Sequence, residues 1–398
     1  MTQDSPTSPF RVAVRRCSSY DDCDGVLSQL LTDTGLSDVL RNSRVLLKPN
    51  MMKATAADRA DATHPSIVAS LTRVLMAMGC EVWVGDSSGL LGLTAEVLEG
   101  SGMAPAVRAV GGKTINLDAG PFEKISSTGS ATHEIWVPRI LFDVQHVVQV
   151  PKLKTHSLTG MSCSIKNLMG LLPGATKCAL HVRRPSALPL SHALLDLAET
   201  LVRKGVHLSG TVVDAVWAQE RKGASEGPRR RDLGLIIASR DLFATDLVCS
   251  QLIDADRHSL STVLAAFQRR LGPCHLEDVE IVGDRNAIHA AVPLESAVAG
   301  WKDKYWPVHT GHYWFRERIV RPWHDPRRCH GTRACIDVCP TDAMRIVGKR
   351  IEITSQCIRC FACRAACPHG AIKLEVPFGM RAIFSRRAEG IDLSKVLR

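Results

Sequence analysis

The stretch that decides the reading lies between Cys329 and Pro368. It runs C-H-G-T-R-A-C-I-D-V-C-P at 329–340 and C-I-R-C-F-A-C-R-A-A-C-P at 357–368. The second half is a complete C-x2-C-x2-C-x3-C-P run: Cys357, Cys360, Cys363, Cys367 and Pro368. This spacing sets three thiolates on one tight loop and a fourth on the helix that follows, which is iron–sulfur spacing. A structural zinc is the alternative. Zinc takes its ligands as two well-separated pairs, and three Cys at consecutive two-residue gaps fit it poorly.

The two halves repeat with one constant offset. Cys329 aligns with Cys357, Cys335 with Cys363, Cys339 with Cys367 and Pro340 with Pro368, and Ala343-Met344-Arg345-Ile346 mirrors Ala371-Ile372-Lys373-Leu374. The pattern resembles a bacterial two-cluster ferredoxin, in which the fourth Cys of each run ligates the other run's cluster. One 4Fe–4S cluster is then expected on Cys339, Cys357, Cys360 and Cys363. The other site has Cys329, Cys335 and Cys367, with Thr332 where the fourth Cys belongs. A hydroxyl is a poor ligand for soft iron compared with thiolate. Three outcomes stay open there: a 3Fe–4S cluster, a site-differentiated 4Fe–4S cluster with one open iron, or a lost cluster. His330 is near as a substitute ligand, but out of register.

The chain has 398 residues and a net charge of +10, a length that predicts two or three domains. Residues 301–398 hold 19 Lys and Arg against 9 Asp and Glu, while residues 1–300 balance at 31 against 31. A basic ferredoxin-like module suits an acidic redox partner protein or an anionic substrate. Nucleic acid is a third, less expected partner suggested by this charge alone, and the same charge also offsets the negative charge of thiolate-ligated clusters. The seven cysteines outside the motif lack metal spacing, a pattern of the reducing cytoplasm. The start is polar and carries no secretory pattern, and no run of about 18 apolar residues marks an integral membrane segment. The expected location is cytoplasmic.

Residues 1–10 read as a flexible tail and residues 21–41 as helical. Apolar runs at Arg44–Leu47, Glu81–Val84, Val147–Val150, Thr211–Val213 and Leu235–Ile237 read as strands buried on both faces. Helical patterns separate most of them, the helix opening at Thr63-His64-Pro65 among them. The alternation predicts an α/β fold: a mostly parallel sheet with helices on both faces over 11–300, then a small α+β iron–sulfur domain over 324–375. Residues 301–323, with seven of the 19 aromatics, read as an interdomain clamp or a path beside a cluster. Residues 376–398 form a basic tail.

Polar residues gather where strands end: Lys48 and Asn50; Asp86 and Ser87; Lys152, Lys154 and His156; Asp214. In an open parallel sheet ligands bind outside the carboxyl ends of the strands. Each residue also reads singly as a turn former or a helix cap. Thr155–Ser164 reads as a small-residue loop running into a helix start, an anion-binding arrangement with Lys166 beside it. It is neither a P-loop nor a Rossmann fingerprint. Cys163 at that start is either an activated thiol or a small buried residue. Glu220–Arg231 is a charged loop, either a lid or ordinary solvated chain.

L-L-K-P-N at 46–50, T-H-P at 63–65, G-D-S-S-G at 85–89, K-L-K-T-H at 152–156, S-I-K-N-L-M-G at 164–170 and D-A-V-x-x-x-E at 214–220 together resemble the uncharacterised domain family DUF362 over roughly residues 10 to 295. Members often carry an appended two-cluster ferredoxin module. The resemblance implies a redox-linked role and supplies no reaction.

Two functions follow as expectations. One is an iron–sulfur oxidoreductase that passes electrons to a small anionic substrate at the strand ends. There Lys48, Asn50, Ser87, Lys152, Lys166 and Asp214 bind, and His156, Asp86 and Lys154 act catalytically. The other is a non-catalytic electron carrier, or an assembly or activation factor, that docks a partner protein.

Overall fold

The computed structural model describes residues 10–295 and 320–376, apart from 22, 89–92, 128, 130–133, 175, 178–179, 181–183, 185, 221–227, 340, 349 and 358–360. The expected tail up to residue 9, the aromatics Trp301 to Phe315, the lid residues 221–227, the basic tail from 377, and Cys178 and Cys360 lie outside the described residues.

Among the described residues thirteen strands build the larger part up to residue 283: β1 Phe10–Arg16, β2 Arg44–Pro49, β3 Glu81–Asp86, β4 Lys113–Asn116, β5 Phe122–Ser126, β6 Glu134–Pro138, β7 His146–Val150, β8 Lys152–His156, β9 Gly160–Ser162, β10 Leu208–Glu220, β11 Arg229–Ser239, β12 Ile253–Asp254 and β13 Val279–Gly283. Ten of them form one sheet in the order β13-β1-β11-β10-β7-β2-β3-β4, with β8 on β10 and β9 on β8. Neighbours pair parallel except where β11 or β9 takes part. The expected mostly parallel sheet is present.

Alternation along each central strand explains why both faces are covered. Val45 and Leu47 of β2, Val82 and Val84 of β3, and Val148 and Val150 of β7 enter one apolar cluster, with helices Asp24–Asp33, Pro65–Ala77 and Met103–Ala109. Leu46 and Val147 enter the opposite cluster, with helix Ala187–Arg203. A strand whose successive side chains all find apolar partners must lie between two helical layers.

Two sequence expectations change here. Pro151 interrupts the strand pattern without ending it. The chain continues as β8, which hairpins into β9, so Lys152–Ser162 is sheet and not a loop. Asp214 is not at a strand end either. β10 runs on for six residues past it and pairs with β11, its register shifting beyond Ala215. The long β10–β11 ribbon and the β8–β9 hairpin rise past the tips of β2, β3 and β7 and wall in that end of the sheet. Residues 21–41 form two helices, Asp24–Asp33 and Leu36–Leu40, separated at Gly35, whose φ of +71° favours glycine.

β14, Leu294–Glu295, pairs with β12. The iron–sulfur region has β15 Arg321–His324 paired with β18 Ile372–Glu375, and β16 Met344–Val347 paired with β17 Arg350–Ile353. The repeat is visible in its backbone. Arg333 and Phe361, at matching positions, both take left-handed φ (60° and 61°) just before short helices.

This region packs on the larger part. Phe361, Leu374 and Val376 belong to the same apolar cluster as β2 and β3. Arg364 pairs with Glu96, on the helix Thr94–Gly100 that follows β3. A side chain at Gly120 would drive into Val338, and the φ there is +72°. We expect Gly120→Ala to cost about 1–3 kcal/mol through strain and overpacking, read as a lower denaturation midpoint and faster proteolysis between the two parts. An unchanged midpoint would remove Gly120 from the docking surface.

Candidate anion site and iron–sulfur module

β2 and β3 are neighbours, so their last residues meet. Lys48 Nζ lies 3.0 Å from Asp86 Oδ1 and donates to Asn167 Oδ1 at 2.7 Å, and Asn167 Nδ2 donates back to the Lys48 carbonyl at 3.2 Å. Asp86 also accepts the N–H groups of Met51 and Ser87, each at 2.8 Å. Lysine and carboxylate are both about 1% exposed. Burial lowers Lys48 to about 8 in spite of Asp86, and it raises Asp86 in spite of Lys48 and Lys177.

A second pair stands on β8 and β10. Lys152 Nζ donates to Asp214 Oδ2 at 2.7 Å and to the Tyr20 hydroxyl at 3.0 Å, and Tyr20 donates to Asp214 Oδ1 at 2.8 Å. Asp214 also accepts the His64 N–H at 2.9 Å. Lys152 and Asp214 have no exposed surface. His64 stacks on Tyr20 at 3.7 Å between ring centres, and Trp217 meets both edge-on. Burial holds His64 at about 4, hence neutral at physiological pH.

Three further lysines share this end of the sheet, and for Lys154 and Lys166 no ion pair is present among the described residues. Lys154 donates to the Asp61 carbonyl at 2.6 Å and lies 3.4 Å from Met52 Sδ. Lys166, half-buried, touches Met169 Sδ at 3.2 Å. Lys177 donates to the Ser87 carbonyl. Two further acids stand here: Asp61 acts on Lys152 and Lys154 and accepts from Thr55 Oγ1 at 2.7 Å, and Asp118 accepts from Ser87 Oγ and Thr94 Oγ1 at 2.6 Å each and from Gly174 N–H at 2.8 Å. Burial and mutual repulsion set Lys154 at about 8 and Lys166 at about 7, where Lys154, Lys177 and Lys48 all push Lys166 down. A desolvated cation with cationic neighbours releases its proton unless an anion comes.

The expected site residues divide as follows. Lys48, Asp86, Ser87, Lys152, Lys154, Lys166 and Asp214 form one interacting group. Asn50 sits beside it, its N–H on Thr63 Oγ1 at 2.8 Å and its buried side-chain oxygen without a partner among the described residues. His156 turns into its own hairpin, where Nδ1 accepts the N–H groups of Leu158 and Thr159 at 3.1 and 3.2 Å. The expected helix-terminus anion site is filled from within. The Ser164 and Ile165 amides donate to Asp246 at 2.7 and 3.2 Å. Cys163 is buried and its thiol is pushed well up by desolvation and by Cys249, which suits a packing residue. Tyr20, His64, Asp118 and Lys177 were not legible as site residues. His64 stands in the T-H-P motif and read only as a helix start.

In the iron–sulfur region Cys329, Cys335 and Cys367 line one cavity of about 40 Å³, with Thr332 at its edge. Burial raises the Cys335 thiol, and Cys367 and Cys329 add to the effect. At matching positions of the repeat, Ala343 N–H points at Cys339 Sγ and Ala371 N–H at Cys367 Sγ, both 3.3 Å. Such N–H donors favour thiolate over thiol. The residues fit clusters ligated in the crossed pattern. Bound there, the clusters supply one-electron transfer.

The Lys48–Asp86 pair leaves no room beside it, since a side chain at Gly170 would run into Lys48 Nζ and Asp86 Oδ1. We expect Gly170→Ala to cost about 3 kcal/mol or more by forcing a buried pair apart. Urea denaturation checks this; a loss below about 1 kcal/mol would show that the pair tolerates displacement.

The profile of the domain of unknown function DUF362 matches residues 45–251, and that of a 4Fe-4S dicluster domain matches residues 321–368. A thylakoid-associated protein of Synechocystis sp. is 28% identical over 267 residues, covering 66% of this chain and 79% of that protein. Among solved structures, a Thermotoga maritima protein superposes with a TM-score of 0.38 at 17% identity, over 59% of this chain and 60% of the other. The lactate racemase apoprotein of Thermoanaerobacterium thermosaccharolyticum gives 0.34 at 13% identity, over 53% and 52%. At these scores neither structure carries an argument about this chain. The long profile match agrees with the strand-end motifs, and the chain belongs to the DUF362 family, with a 4Fe-4S dicluster domain following the family's own.

Proposed function

We propose that the protein is an iron–sulfur oxidoreductase that passes electrons from its ferredoxin-type clusters to a small anionic substrate held at the strand ends by Lys154 and Lys166, with the sealed Lys48 and Lys152 adding to the field around it. The carrying observation is the imbalance of charge: Lys154 and Lys166 lie in the field of Lys48 and of one another with no ion pair of their own among the described residues. A carboxylate or phosphate on the substrate restores the balance, and the Asn50 side-chain oxygen accepts from a substrate hydroxyl. An external redox partner protein supplies one electron at a time. Two electrons and two protons complete a two-electron reduction, the protons coming from Lys154 and Lys166, whose proton affinities are lowered toward neutrality. His156 then shapes the hairpin that carries Lys154. The iron–sulfur region packs on the helix after β3, at this same end of the sheet.

A second reading, an electron carrier or assembly factor that docks a partner, is favoured by one observation. Arg321, Arg327 and Arg350 line an open cavity of about 1140 Å³ that reaches Cys357. A basic rim beside a cluster ligand suits an acidic redox partner. The proposed location is the cytoplasm. No helix among the described residues is long and apolar enough to cross a membrane, and the name of the thylakoid-associated relative leaves room for peripheral contact.

The lysines give a signed pH test. Lys166 stays protonated to about 10.5 when unfolded and only to about 7 when folded. Its penalty is full below pH 7 and is relieved as pH rises toward 10.5. Wild type should therefore gain stability relative to Lys166→Met between pH 7 and 10. Anions should reverse the trend. Inorganic phosphate and small dicarboxylates should raise the Tm most near pH 7 and little at pH 9, and Lys154→Ala should cut that shift with cluster content intact. Anion shifts that ignore both pH and Lys154 would sink the substrate site and leave the carrier reading.

The three-thiol site has its own test. We expect anaerobic preparations to hold at that site either a 3Fe–4S cluster, paramagnetic when oxidised, or a 4Fe–4S cluster with one labile iron. Thr332→Cys should convert either form to an ordinary four-thiolate cluster. If the native protein already holds two ordinary 4Fe–4S clusters and Thr332→Cys changes neither iron content nor EPR spectra, Thr332 is not the missing ligand.

A further inference from the structure

His324 ends β15 and lines the cavity that carries Cys329, Cys335 and Cys367. Its Nδ1 accepts the Ile351 N–H at 3.1 Å. That nitrogen therefore bears no proton, and the ring proton sits on Nε2. The residue is only 7% exposed, and Nε2 is buried with no partner among the described residues. A buried donor left without an acceptor is costly, so a ring held this way by its other nitrogen calls for an acceptor in the cavity. Much of the wall is apolar, Ile336, Ile351 and Ile372 among it. His330 and His369 stand toward solvent, 4.2 Å apart between ring centres. The sulfur-rich group that the three thiols would hold is the acceptor that fits.

We infer that His324 donates its Nε2–H to a sulfur of the cluster held by Cys329, Cys335 and Cys367, and thereby raises that cluster's reduction potential above what its ligands alone would set. Reduction adds negative charge to the sulfurs, so the bond strengthens in the reduced form. The repeat makes the effect one-sided. The position matching His324 is Glu352, an exposed residue of β17, which offers the other cluster no donor. The three-thiol cluster becomes the first to fill with electrons. The inference rests on the clusters and not on the lysine site, and it holds for three irons or four.

The test is potentiometric EPR on anaerobically reconstituted full-length protein. His324→Phe should lower one midpoint by about 59 mV, a tenfold smaller reduced-to-oxidised ratio at fixed potential for a one-electron couple, and leave the other in place. His324→Asn, which restores a donor, should recover part of the shift. Two unmoved midpoints with full iron content would overturn the proposal, and so would an equal shift of both. Should His324→Phe fail to fold, His330→Ala/His369→Ala with 15N-labelled histidine decides. Pulsed EPR of the three-thiol cluster in its half-integer-spin state, oxidised for three irons and reduced for four, should then show one weakly coupled nitrogen; its absence would overturn the proposal, and a strong, ligand-sized coupling would replace hydrogen bonding by iron ligation.

Discussion

Two lysine–carboxylate pairs without access to water hold the working end of this molecule. Lys48–Asp86 ties β2 to β3, and Lys152–Asp214 ties β8 to β10. Each pair is stable only because every remaining polar atom has a protein partner: Asn167 and backbone amides on one side, Tyr20 and the His64 amide on the other. Desolvation at a buried ion pair is repaid only by such complete hydrogen bonding. The pairs therefore fix the segments around them. Tyr20 is held down by Asp214, Met51 by Asp86 and the helix cap His64 by Asp214, so the loops after β1 and β2 cannot rearrange independently.

With those pairs in place, the additional lysines become a source of tension. Lys154 and Lys166 share the positive field of Lys48 and Lys152 without a carboxylate pair among the described residues. Their depressed proton affinities follow from burial and from one another. A fold that keeps such groups gives up stability at neutral pH, and a site for an anion is the simplest physical return on that loss.

What was legible in the chain follows from how local each signal is. The cluster cysteines are a short-range pattern, and the repeat carries its own check, which the matched backbone at Arg333 and Phe361 and the matched N–H···S contacts bear out. The strand ends were legible because apolar runs stop at charged residues. Pro151 misled because it also occurs between two strands that share one neighbour, with Asp214 N–H donating to its carbonyl at 2.9 Å. The helix start at Ser164 looked like an open anion site because its true partner, Asp246, is 82 residues away along the chain. Tyr20 and Lys177 bear no motif at all. Only the folded sheet brings them to Asp214 and Ser87.

Phe361 has a consequence for any attempt to rebuild this protein from parts. It sits between two cysteines of the iron–sulfur run, in a left-handed conformation, yet its ring belongs to the apolar cluster of the main sheet. Arg364, three residues on, reaches Glu96. The loop that wraps a cluster is thus also a plug in its neighbour's wall. A foreign ferredoxin grafted here would have to bring an aromatic at that one loop position and a cation one helical turn later. The two halves are interchangeable as electron-transfer chemistry but not as carpentry.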